Sequence, residues 1–126
     1  MRVVLVGFGG FVGAVLRYWV SGLAQGMTRG SAFPLGTLVV NVLGCLAIGV
    51  LAELAETHGF LTPDRRAFLV VGLLGGFTTF SAFANESVDA LRAGAHAIAV
   101  ANVILSVGIC LIAVVAGRSF AQLLWR

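Results

Sequence analysis

The chain has 126 residues, 60% of them hydrophobic and 10% charged, with a formal net charge of +3 and a mean hydropathy of +1.06. A water-soluble domain carries about 25% charged residues, so this composition places the chain in a lipid bilayer. All of its positive side chains are arginine. They cluster near the ends of apolar segments, which points to lipid headgroups, and no basic stripe with interleaved aromatics suggests nucleic acid.

Apolar runs of about 18 or more residues predict transmembrane helices. The first span is predicted over residues 3–25, beginning "VVLVGFGGFVGAVL" and continuing past Arg17. Arg17 adjoins Tyr18 and Trp19, an amphipathic group suited to the headgroup boundary. Gly7, Gly9 and Gly13 do not have the spacing of a dinucleotide loop, and no βαβ unit follows them. Gly9 and Gly13 instead form a GxxxG pair, repeated by Gly72 and Gly76, which predicts close helix–helix approach. A cleaved leader is a weaker reading of this segment, because the rest of the chain already requires a membrane.

The second span is predicted over 35–55, with Asn41 well inside it. The third, over 67–91, carries "GGFTTFSAFANE" and is expected to be broken near 75–79. The fourth is predicted over 96–118, where Asn102 and Ser106 share one helical face. Asn41 in isolation reads equally well as interhelical glue or as a pathway donor. The chain as a whole, 1–126, reads as one four-helix transmembrane domain of the all-α class. Arg2, Arg65, Arg66, Arg118 and Arg126 fall on one side and Arg17, Arg29 and Arg92 on the other, a weak orientation bias. Cys45 and Cys110 both lie in apolar runs and read as small buried or lipid-facing hydrophobes rather than as a disulfide or a metal pair.

The predicted break carries the chemistry. Unwound backbone inside a membrane is tolerated only in protein or along a wet cavity. Its freed carbonyls suit a cation, and the N-terminus of the half-helix beyond it suits an anion. Phe80 and Phe83 share a face there, and the positive edges of phenyl rings attract anions; packing or lipid contact is the plainer reading of each alone. Thr79, Ser81 and Asn41 add neutral donors. No acid, lysine or histidine occupies the middle of a span, which disfavours a proton-coupled exporter of the small multidrug type, the alternative reading. No catalytic constellation is present, so an enzyme is not expected.

The segments "GAVLRYW", "PLGTLVVNVLG" and "GGFTTFSAFANES", with "ANVILSVGICLIAVVAG", are similar to those of the Fluc/CrcB fluoride channel family. That resemblance implies an antiparallel, dual-topology homodimer in the cell (inner) membrane that lets cytoplasmic fluoride escape passively. It implies a structural sodium ion held by the carbonyls of Gly75 and Thr78. It further implies a fluoride pore of Asn41, Phe80 and Phe83, with Thr79, Ser81, Ser106 and Asn102 nearby, and a vestibule with Arg17 and Glu86. Ala82 and Asn102 depart from the family's commoner threonine and tyrosine.

Overall fold

The computed structural model describes residues 1–125; Arg126, one of the arginines weighed for orientation, lies outside them. The elements are α1 (Arg2–Met27), α2 (Leu35–His58), a composite α3 over 63–77, α4 (Phe80–Arg92) and α5 (His96–Leu124). Four stretches are long and apolar enough to cross a membrane: α1, α2, the third span Pro63–Arg92 formed by α3 and α4, and α5. No strand occurs among the described residues. The helices extend a few residues beyond the predicted spans, most at the end of α5 and the start of α3.

Local chemistry sets the connections. Gly59, at φ 60°, closes α2 in the left-handed region, and its N–H donates to the Ala55 carbonyl, where a side chain would be strained. Thr62 caps α3 through its hydroxyl, which accepts from Arg65 N–H, with Pro63 in the first turn where its missing donor costs nothing. Within α3, residues Arg66–Leu74 coil as a π-helix.

The helices pair in two parallel sets. Arg2 bonds Asp64 at 2.9 Å, pinning the start of α1 to the start of α3. Above that contact the predicted glycines meet: a Cβ on Gly9 would strike the Phe68 carbonyl, one on Gly13 the Leu73 carbonyl, and one on Gly76 the Gly10 carbonyl. Small residues permit this backbone approach, which supplies dispersion contacts that lipid cannot replace. The second set, α2 with α5, closes in the same manner, Gly49 lying on the Val114 carbonyl and Gly117 on the Leu46 carbonyl. Its far end is tied by polar groups. Arg118 forks onto Glu56 at 2.9 and 3.0 Å and reaches the buried Glu53 at 3.4 Å, while Gln122 donates to Glu53 at 3.0 Å.

Gly13→Ala tests this packing. The added methyl would meet peptide backbone, which cannot swing aside as a side chain does, so the mutation should cost about 1–3 kcal/mol. Unfolding in detergent micelles, followed by tryptophan fluorescence, measures it. An unchanged midpoint would mean that α1 and α3 are not held together at Gly13.

Candidate functional site

The third span breaks at Thr78 and Thr79, whose φ/ψ of −87°/158° and −151°/117° are extended. Two side chains hold the break open. Asn41 of α2 grips the Thr79 peptide at both ends: its Oδ1 accepts from Thr79 N–H at 2.8 Å and its Nδ2 donates to the Thr79 carbonyl at 2.9 Å. The Thr79 N–H is the donor that an unbroken helix would direct to the Gly75 carbonyl. One turn on, Ala82 N–H, which would otherwise serve the Thr78 carbonyl, donates to the Thr79 hydroxyl at 3.2 Å. The carbonyls of Gly75 and Thr78 are thereby released from the helical ladder.

The two glycines before the break have structural tasks of their own. Gly76 packs on Gly10, as above. Gly75 is exposed on a cavity of about 510 Å³, together with Thr78, Phe80, Phe83, Asn41 and Ser106. Across the break, Gly44 of α2 lies against the Thr78 methyl so closely that a Cβ would displace it. The hydroxyl of Thr78 turns back to the Leu74 carbonyl at 2.9 Å.

A second cavity of about 760 Å³ lies on the other side of the break, lined among others by Arg17, Ser21, Thr37, Ser81 and Glu86. Thr79 borders both cavities. Its hydroxyl is 3.3 Å from that of Ser81. Arg17 reaches from α1 to donate to the Thr78 carbonyl at 3.4 Å. Thr37 donates to Glu86 Oε1 at 2.6 Å, and Glu86 Oε2 is the buried side-chain oxygen without a partner among the described residues.

Beyond Thr79, α4 begins with its N-terminal N–H groups pointing toward the break, and the helix dipole makes that end favourable to an anion. The Phe80 and Phe83 rings lie 5.3 Å apart, tilted by 52°. They differ in environment: Phe80 is 77% exposed and Phe83 only 9%.

Asn102 and Ser106 do share a face, and that face meets α4. Ser106 donates to Asn102 Oδ1 at 3.2 Å, Asn102 Nδ2 to Ser87 at 2.9 Å, and Ser87 to the Phe83 carbonyl at 2.8 Å. Ser106 borders the first cavity, whereas Asn102 is 1% exposed and stands behind its wall. The sequence reading did not pick out Ser87 or Thr37. Ser87 lies four residues beyond Phe83, on the same helical face, which is the signal that could have found it.

The donor set around the first cavity is neutral. No cluster of three or more histidine, cysteine, aspartate or glutamate residues suited to a metal occurs among the described residues. Any cation at the break would be held by peptide oxygen, the ligand type that hard cations prefer.

Comparison with known proteins gives a consistent result. The family model described as "CrcB-like protein, Camphor Resistance (CrcB)" matches residues 4–118. A "Fluoride-specific ion channel FluC" of Methylobacillus flagellatus is 46% identical over 111 residues, covering 88% of this chain and 87% of that protein. Proteins of the same name from Ruminiclostridium cellulolyticum and Rhodospirillum rubrum are 43% and 44% identical. They cover 97% and 98% of this chain, and 93% and 97% of their own lengths.

Proposed function

This chain belongs to the CrcB-like family, and from that premise we propose that it is a multi-pass membrane channel conducting fluoride passively and selectively. The observation that carries the reading is the break at Thr78–Thr79, held by Asn41 between two cavities. Fluoride is small and strongly hydrated, so a pore must replace its water with donors matched to a small anion. Neutral hydroxyls, amides, helix-terminal N–H groups and ring edges do this without holding the ion so tightly that it cannot leave. Asn41, Thr79, Ser81, Ser106, Phe80 and Phe83 are the groups assigned to this task. Asn102 acts through Ser106 and Ser87, orienting them rather than meeting the ion. Arg17 and Glu86 form the vestibule, where the guanidinium attracts the anion before it meets the rings.

The carbonyls of Gly75 and Thr78 suit a structural sodium ion, because both are freed from the helical ladder and both residues line the first cavity; the ion would take the Thr78 carbonyl in place of the long 3.4 Å bond from Arg17. Gly75 and Thr78 of one subunit supply only part of a coordination shell, and the matching pair of a second copy would complete it. An antiparallel homodimer accounts for this need. It also accounts for Phe80, which a single subunit leaves 77% exposed at the rim of the cavity. The arginines divide with little bias between the two ends, which suits insertion in both orientations.

The exporter reading requires a proton-carrying group in the path. Glu86, the acid nearest a span interior, lies in the last turns of the third span rather than at its middle, and the named relatives are channels.

Fluoride efflux from liposomes, read with a fluoride electrode, tests the proposal. Release should be rapid, depend on valinomycin in potassium-loaded vesicles, and exceed chloride release by several orders of magnitude. Efflux without an ionophore, driven by a pH gradient, would refute passive conduction. Vesicles prepared with the protein depleted of sodium should show slower release or a smaller dimer fraction on cross-linking; unaltered values for both would remove sodium from the assembly.

A further inference from the structure

The chain contains two cysteines, and the fold brings them together although they were read from the sequence as separate small hydrophobes. The parallel packing of α2 and α5 keeps one register: an offset of 65 residues pairs Glu53 with Arg118, Gly49 with Val114, and Cys45 with Cys110. The two thiols are neighbours, neither is in a disulfide, both are half-buried, and both line the first cavity with Phe80 and Thr78.

We propose that Cys45 and Cys110 form a two-coordinate site for a soft divalent cation that binds in linear geometry, of which Hg2+ is the type. Three features select this class. Paired thiols prefer soft cations over hard ones. No histidine or acid stands by to complete a third or fourth position among the described residues, so tetrahedral Zn2+ lacks ligands. The third feature is charge. Each thiol loses its proton to water as a metal–sulfur bond forms, so one divalent ion displaces two protons and leaves a neutral S–Hg–S bridge, with no change of oxidation state. A monovalent ion such as Ag+ would leave one net negative charge within the membrane, which the apolar surroundings penalise. The bridge would join α2 to α5 one turn from Asn41 and next to Gly44, and its bulk would stand in the cavity that borders the break.

Binding is testable without transport. Purified protein in detergent is titrated with HgCl2, treated with a maleimide, and weighed by mass spectrometry under non-reducing conditions. One equivalent of Hg2+ per chain should protect both thiols, and the metal should survive a modest excess of glutathione, because a chelate resists competition that strips a single thiolate. Cys45→Ser and Cys110→Ser should each hold Hg2+ only weakly and lose it to glutathione. Uptake of two Hg2+ per chain, or glutathione-resistant binding by either single variant, would overturn the intramolecular pair. That the occupied site obstructs the anion rests on the proposed function. One equivalent of Hg2+ should slow fluoride efflux about tenfold or more in the parent, and glutathione should restore it fully only in the serine variants, where a lone thiolate holds the metal. Absent efflux before any metal is added would count against the channel reading and leave the binding result standing. Protected thiols with undiminished efflux would overturn the obstruction alone.

Discussion

Asn41→Asp should lower fluoride efflux by roughly two to three orders of magnitude while leaving a folded protein. A full negative charge about 4 Å from a passing anion opposes it by roughly 4 kcal/mol at an effective dielectric constant of about 20, which corresponds to a factor of about a thousand. A second effect acts in the same direction. The amide of Asn41 donates to the Thr79 carbonyl at 2.9 Å, and an ionised carboxylate would set two acceptors against each other there. Its other oxygen would still accept from Thr79 N–H, as Oδ1 does at 2.8 Å, so the break should persist. Liposome efflux at a pH where the new acid is ionised provides the measurement, with circular dichroism as the check on folding. Efflux equal to that of the parent would place Asn41 off the path and leave it only as the clamp on Thr79. Asn41→Leu separates the two roles: it adds no charge but frees Thr79 N–H to rejoin the Gly75 carbonyl.

The role of Asn41 also marks the limit of what the sequence makes legible. The four spans follow from hydropathy, because a bilayer requires long apolar helices and little else satisfies that rule. That Gly9 and Gly13 admit a close helix neighbour follows from a spacing of four, which any helix turns into one face; that the neighbour is the third span is shown only by the fold. The break follows from "GGFTT", where poor helix formers interrupt an apolar run. What holds the break does not follow, because its two hydrogen bonds join residues 38 apart. An asparagine in an apolar helix announces a need for a partner without naming it. The same is true of Thr37 with Glu86, 49 residues apart. The Cys45–Cys110 pair requires the register of α2 on α5, which small residues at Gly49 and Gly117 set through close contact. The π-helical turns of Arg66–Leu74 carry no proline or polar insertion to announce them. For Asn102 the face was legible, but burial turned that face toward Ser87 and away from the open cavity.

The second large effect is expected at the two rings, and their unequal burial separates pathway from packing. Phe80→Ile removes a ring that is 77% exposed, so a single subunit loses almost no packing and its stability should hold to within about 0.5 kcal/mol. Efflux should nonetheless fall by tenfold or more, because isoleucine fills much of the volume but lacks the positive ring edge. Phe83→Ile removes a ring that is only 9% exposed, and its loss leaves part of a buried site unfilled. That variant should be about 1–2 kcal/mol less stable and also slow in efflux. The 5.3 Å ring contact predicts non-additive behaviour, since residues in contact couple: once one ring is gone, removing the other should slow efflux less than it does alone. Efflux rates of the two single variants and the double variant, each normalised to dimer recovered by size-exclusion chromatography, decide the matter. Parental efflux in Phe80→Ile would reduce the exposed ring to lipid or subunit packing, since nothing else about that side chain changes so much on substitution. Loss confined to Phe83→Ile, in proportion to its instability, would remove the rings from the anion path and leave the neutral donors of Asn41, Thr79 and Ser81 to replace the ion's water.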